Sequence, residues 1–175
     1  MWIWICLIAG SVILDQVTKR LAVAFLTDGV SVNVIPNVFR FTYVENRGAA
    51  FGMLDEHRWV FMVISTVAVI GLFVYLWKFA PPSPWAKASL AMIIGGGIGN
   101  MIDRVALGYV IDFLDFCAFP KIWPWVFNVA DAFVCVGGGI LFVWCLIMLI
   151  KETKEAKVKK ENAPSGDGDP DGSAE

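Results

Sequence analysis

Between residues 95 and 131 the chain places Asn100, Asp103, Arg104, Asp112, Asp115, Asn128 and Asp131 beside or inside some of its most apolar sequence. An ionisable group at membrane depth costs roughly 3 kcal/mol or more, so it marks function by default. Among these residues the carboxylates offer the clearest chemistry. Two carboxyls that share a site cannot both ionise easily, so one keeps a proton while the other is charged. The ionised member can take a proton from water as it attacks an amide. The protonated member can polarise the carbonyl and then help protonate the leaving nitrogen. Asp112 and Asp131 are the leading candidates for such a pair, and spacing alone leaves Asp103 and Asp115 open as partners. A pair of this kind titrates as a unit, so neither role falls to one aspartate.

Other chemistries lack their residues. His57 is the single histidine and lies among the charges Asp55, Glu56 and Arg58, so no Ser/His or Cys/His arrangement and no metal site is expected. Lys19 has only Ser11 in its own segment, outside helical contact spacing, which disfavours Ser-Lys catalysis. Cys6, Cys117, Cys135 and Cys145 form no C-x-x-C pair, and buried free thiols are the simplest reading. No cofactor is expected, and no basic stripe points to nucleic acid.

These groups must be positioned by apolar elements. Of 175 residues, 58% are hydrophobic and 17% charged, a composition of a polytopic membrane protein. The expected fold is all-α with four transmembrane helices, at about 2–25, 59–78, 85–104 and 126–150, and a small extracytoplasmic β-cradle over 29–45. A signal peptide is the first alternative for the opening segment, since Ala22-Val23-Ala24 resembles a cleavage site. The absent basic n-region and the intervening Asp15, Lys19 and Arg20 favour a retained span instead. Val30, Val32 and Val34, then Phe39, Phe41 and Tyr43, alternate with polar residues and predict two strands broken at Ile35-Pro36-Asn37. Open strands cannot face lipid, so the sheet belongs at the membrane surface. Gly48 and Gly52 punctuate a following loop, and Pro81, Pro82 and Pro84 end the second span. Gly95, Gly96, Gly97 and Gly99 suit close helix packing. Residues 105–125 read as a loop carrying Asp112 and Asp115. Residues 1–155 are expected to form one membrane domain and 156–175 a disordered cytoplasmic tail.

Lysines set the orientation. Lys151, Lys154, Lys157, Lys159 and Lys160 follow the last span, and Lys78 and Lys87 flank the central turn, so these ends are cytoplasmic. Four spans then put both termini inside and the strands and aspartates outside. Asp15 and Lys19 lie in the outer half of the first helix, and Asn100, Asp103 and Arg104 at the outer end of the third. Asp131 lies about 9 Å below the start of the fourth, at about 1.5 Å per residue. Three helices bring polar residues to one level. Simpler roles compete: an i,i+4 ion pair for Asp15 and Lys19, a carboxylate partner such as Asp103 for Arg104, and helix N-terminal complementarity for Asp131.

Five short blocks occur in order along the chain: residues 15–19 (DQVTK), 43–52 (YVENRGAAFG), 99–104 (GNMIDR), 108–113 (GYVIDF) and 127–131 (FNVAD). On these the chain resembles signal peptidase II, the bacterial lipoprotein signal peptidase family, from about Asp15 to about Phe133. The resemblance implies a membrane aspartyl endopeptidase that removes the signal peptide from a diacylglyceryl-modified prolipoprotein just before the lipidated cysteine. It implies Asp112 and Asp131 as the dyad, with Asn46, Asn100, Arg104 and Asn128 supporting substrate or dyad. Asp15, Lys19 and Asp103 match structural polar positions. It implies membrane lipid as surroundings, a monomer, and the bacterial inner membrane as location. Phe113, Phe116, Phe119 and Trp123 could line an acyl-chain groove, although an interfacial aromatic belt explains them more simply. A small transporter or proton channel could use the same carboxylates, but its polar path would have to continue into the inner halves of the helices, and none does.

Overall fold

The structure is a computed structural model that describes residues 1–27, 29–47, 58–79, 81–122 and 124–161. Gly48, Gly52, the charged stretch at Asp55, Glu56 and His57, Trp123 and the end of the tail lie outside the described residues. The element order is α1 (Trp2–Leu26), β1 (Ser31–Ile35), β2 (Phe39–Asn46), α2 (Arg58–Lys78), α3 (Pro84–Ala106), β3 (Val110–Asp115), β4 (Val126–Phe127) and α4 (Val129–Glu161). Two compact units are present, Met1–Leu141 and Phe142–Glu175. The first carries all the elements up to the opening turns of α4. In the second, the described residues 142–161 are helical, which takes in the lysines after Ile150.

Two helices, α1 and the Val129–Lys159 part of α4, are long and apolar enough to cross a membrane, and α2 adds the shorter apolar run Met62–Lys78. Apolar side chains lie outward along these helices, among them Ile13, Val67, Ile70, Phe142 and Leu149. The cysteines follow the same pattern. All four are free, but Cys6, Cys135 and Cys145 are exposed and Cys117 half-buried, against the expectation of buried thiols. In a chain whose apolar surface faces outward, an apolar neighbourhood in sequence does not imply the interior.

Packing around α3 uses its small residues. A Cβ at Gly96 would collide with the Ala130 carbonyl oxygen, and one at Gly99 would sit 2.5 Å from Asp15 Oδ2. Glycine at these two positions lets α1 and the start of α4 close on α3. Ile8 of α1, Leu76 of α2 and Leu90, Ala91 and Ile94 of α3 form one core cluster.

The sheet is antiparallel with order β1-β2-β3-β4. Its first turn follows the sequence closely: Val38 N–H donates to Ile35 O at 3.0 Å, with Pro36 next and Asn37 at φ 59°. That is proline fixing one corner of a type II turn and asparagine tolerating the other. The sheet is twice as wide as the two strands read from alternation. Residues 110–115 are a strand rather than part of a loop, so Asp112 and Asp115 are strand residues. The reason is burial. β3 is covered on both faces, and a doubly buried strand loses the alternation that betrays an exposed one. Ile111 and Phe113 pack with Ala22 and Leu26 of α1, which also removes Phe113 from the expected acyl groove, while Phe116 and Phe119 are exposed.

Candidate active site

The turn from α3 into β3 sets the first distance. Leu107 N–H donates to Asp103 O at 2.7 Å, and Gly108 follows at φ 84°, a conformation that a side chain resists. β3 therefore starts immediately and runs beside β2, with Val44 opposite Asp112 and Arg40 opposite Asp115. A bulge between Phe41 and Val44 shifts this register. At the end of β2, Asn46 Nδ2 donates to Asp112 Oδ2 at 2.9 Å. The neighbours of Asn46 tie down the strand end. Arg47 donates to Glu45 at 2.7 Å and lies 5.5 Å over the Tyr109 ring. Arg47 holds the Glu45 carboxyl below its usual range, and burial and Tyr109 push the Tyr43 phenol up.

Asp131 is placed by the start of α4. Asn128 is the N-cap: its Oδ1 accepts from Asp131 N–H at 2.9 Å, and Asp131 Oδ2 accepts from Asn128 N–H at 3.2 Å. This reciprocal pair is a capping box with aspartate in place of glutamate, contributing about 1 kcal/mol to the helix start. The other oxygen of Asp131 accepts from Asn100 Nδ2 at 2.7 Å. Asn128 Nδ2 donates to Asp112 Oδ1 at 2.6 Å and to Asn100 Oδ1 at 3.0 Å. Each oxygen of Asp112 and of Asp131 thus receives one N–H, and all the donors are neutral.

Burial and the charge of Asp131 push Asp112 up to about 7, against the hydrogen bonds from Asn46 and Asn128. Arg104 is half-buried, donates to Asn100 O at 3.4 Å, and interacts electrostatically with Asp131, Asp112 and Asp103. It forms no ion pair with Asp103, contrary to the pairing expected from their adjacency. Asp103 points to the other side of α3, where it meets Lys19.

That other side is a buried ionic cluster. Lys19 Nζ lies 2.9 Å from Asp15 Oδ2, 2.9 Å from Asp103 Oδ2 and 2.8 Å from Asn100 Oδ1. Lys19 is 1% exposed and Asp15 not at all, so this pair has no water to fall back on. Asp15 Oδ1 accepts from Ala130 N–H at 2.9 Å, and Asp103 Oδ2 from Ile111 N–H at 3.1 Å. The cluster is therefore tied to both backbones that carry the paired aspartates. Gln16, unassigned by sequence reasoning, donates to Asp103 Oδ1 at 2.9 Å and to Gly99 O at 3.2 Å. Its signal was available: positions 15, 16 and 19 fall on one helical face inside an apolar segment. Asp115 stands apart, paired with Arg40 at 2.6 Å on the sheet.

Asn46, Asn100, Arg104, Asp112, Asn128 and Asp131 are thus gathered in one place, with Asp15, Lys19 and Asp103 directly behind it. No group of three or more His, Cys, Asp or Glu side chains among the described residues could hold a metal ion. Apolar helices around a polar cluster, roofed by a small antiparallel sheet, have the build of a membrane enzyme. Two solved structures described as bacterial membrane enzymes share it. One is 32% identical with a TM-score of 0.77, over 94% of this chain and 96% of its own. The second is 32% identical with a TM-score of 0.75, over 83% of this chain and 94% of its own.

The family follows from the sequence comparisons. The family model described as signal peptidase (SPase) II matches residues 7–147. The lipoprotein signal peptidase of Caldanaerobacter subterraneus subsp. tengcongensis is 50% identical over 137 residues, 78% of this chain and 91% of that protein. That of Halothermothrix orenii is 44% identical over 135 residues, 76% of this chain and 89% of that protein. The chain belongs to the signal peptidase II family, and it is a bacterial membrane peptidase of the aspartic type.

Proposed function

We propose that Asp112 and Asp131 are the carboxylates with which this peptidase hydrolyses its substrate, a diacylglyceryl-modified prolipoprotein cut just before the lipidated cysteine. The observation that carries this reading is the donor pattern: four neutral N–H groups, one on each carboxylate oxygen, with no ion pair to either residue among the described residues. Such a pair shares one proton and titrates as a unit, and burial and the neighbouring charge push Asp112 up to about 7. Water bound between the two loses a proton to the ionised carboxylate as its oxygen bonds to the scissile carbonyl carbon. The protonated partner donates to the carbonyl oxygen. Collapse breaks the C–N bond as a hydroxyl of the tetrahedral intermediate returns its proton to the ionised carboxylate, and the other carboxyl gives its proton to the leaving nitrogen. Arg104 is placed to offset the negative charge of this centre or to hold the substrate backbone.

The surroundings fit a lipid-anchored substrate. We place four spans in the membrane, α1, α2, α3 and α4, with both termini cytoplasmic and the sheet and dyad near the outer face. The outward apolar side chains of α2 support its placement in lipid, and the lysines after Ile150 support an inner C-terminus. The membrane domain on this reading is a monomer of residues 1–155 surrounded by lipid, and the cytoplasmic tail follows it. A precursor already anchored by its acyl chains reaches an interfacial dyad without leaving the bilayer.

The test is cleavage of a diacylglyceryl-modified precursor by purified protein. Asp112→Asn and Asp131→Asn are each expected to abolish it while leaving the protein folded, and full cleavage by Asp131→Asn would overturn the dyad. An unlipidated precursor is expected to be a poor substrate. Equal turnover of both forms would remove the anchoring argument.

A further inference from the structure

Asn100 and Asn128 both present their amide nitrogens to the aspartates, and that direction has to be imposed. The two ends of an asparagine amide are nearly equal in shape, so only the neighbours decide which way it faces. Two neighbours here can donate but never accept. Lys19 Nζ lies 2.8 Å from Asn100 Oδ1, and the Asp131 backbone N–H lies 2.9 Å from Asn128 Oδ1. With its oxygen so engaged, Asn100 can turn only its NH2 to Asp131, at 2.7 Å. Asn128 in turn can offer only its NH2 to Asp112, at 2.6 Å, and to Asn100 Oδ1, at 3.0 Å. A flipped Asn100 would set N–H against an ammonium and a carbonyl oxygen against a carboxylate.

We infer that Lys19 is a positioning residue for the reaction, which fixes the polarity of the Asn100–Asn128 relay so that each aspartate receives an N–H donor. This rests on the reading of Asp112 and Asp131 as the dyad. Lys19 itself makes no hydrogen bond or ion pair with either and reaches Asp112 only through its charge at longer range: its three N–H groups go to Asp15, Asp103 and Asn100. Two ion pairs would suffice to hold α1 against α3. The third donor is spent on an amide, and that amide leads to the dyad. The charged groups around the relay are Asp15 and Lys19 from α1, Asp103 and Arg104 from α3, Asp112 from β3 and Asp131 from α4.

Lys19→Met alone strands two buried carboxylates and is expected to fold poorly. The triple variant Asp15→Asn/Lys19→Met/Asp103→Asn removes all three charges and keeps the shapes. In purified full-length protein it is expected to fold, to lose about 100-fold in kcat on a diacylglyceryl-modified precursor, and to keep KM within about threefold. The acid limb of its pH–kcat profile should move to higher pH, because a carboxylate that loses a donor ionises less readily. The deciding step repeats the triple change in an Asn100→Ala background. If Lys19 acts through Asn100, the quadruple variant is no slower than Asn100→Ala alone. Independent, multiplying losses would overturn the relay, and so would wild-type kcat in the triple variant. As a separate arm, Asp15→Asn/Lys19→Gln/Asp103→Asn keeps a donor near Asn100 and should retain about tenfold more kcat than the triple variant with methionine. Equal loss in the two would count against the relay. Failure of the dyad reading looks different, because Asp112→Asn or Asp131→Asn would then keep cleaving.

Discussion

Asp15 and Asp103 on one side of α3, and Asp112 and Asp131 on the other, are two pairs of carboxylates in the same helical bundle with opposite treatment. The first pair shares an ammonium at 2.9 Å from each. The second receives amide N–H groups and, among the described residues, has no ion pair. A cation cancels charge and leaves little reason for a proton to move. Neutral donors orient a carboxylate without cancelling its charge, so the cost of ionising both members remains in the site. On the proposed dyad, the contrast is how one protein makes inert and reactive aspartates from the same residue type. Asp115 gives a third case, a buried carboxylate paired with the half-exposed guanidinium of Arg40.

The largest effect that tests this contrast is on turnover. Asp112→Asn or Asp131→Asn should lower kcat by about 1000-fold or more, since general acid–base groups contribute on the order of 100- to 10,000-fold. Neither change should cost much stability, because asparagine keeps the shape of each site; calorimetry of the detergent-solubilised protein measures this. In the ionic cluster the signature reverses. Lys19→Met should cost roughly 3–5 kcal/mol of stability, the usual penalty of stranding a buried charge. A smaller loss than that of Asp112→Asn would erase the distinction between the two regions.

Titration sharpens it further. With Asp112 pushed up to about 7, the singly protonated dyad is present below that pH and lost above it, so cleavage should fall as pH rises through about 7. Stability has the same sign. The contribution of protonated Asp112 is complete below the ordinary carboxyl value of 3.8 and is lost as pH rises through about 7, so wild type should weaken across that window and Asp112→Asn should not. The smallest effect belongs to this third pair. Arg40 is nearly half exposed but its partner Asp115 is buried, so Arg40→Ala should cost about 1–3 kcal/mol and leave kcat within about twofold.

Much of this was readable from residue types. The helices follow from long apolar runs, and the hairpin turn from Pro36 and Asn37. The site was legible because Asp, Asn and Arg are conspicuous in apolar surroundings. What stayed hidden was hidden for physical reasons. β3 is buried on both faces, so its sequence VIDFLD lacks the alternation that revealed β1 and β2. Asp103 and Arg104 are adjacent and opposite in charge, yet they face different sides of α3, and the partner of Asp103 is 84 residues earlier in the chain (Lys19). Gln16 was passed over because an uncharged side chain carries no desolvation alarm. The cysteines misled because apolar context means exposure when the surroundings are lipid.

The capping box at the start of α4 has one further consequence, for the chain as it is made. Asn128 and Asp131 take their positions only when the helix they begin has formed, and Ala130 N–H must also reach Asp15. On the proposed dyad, a chain stalled after its third helix carries Asp112 with neither its relay asparagine nor its partner. Synthesis itself then acts as the safety catch: the nascent enzyme is harmless to the proteins around it until its last helix docks.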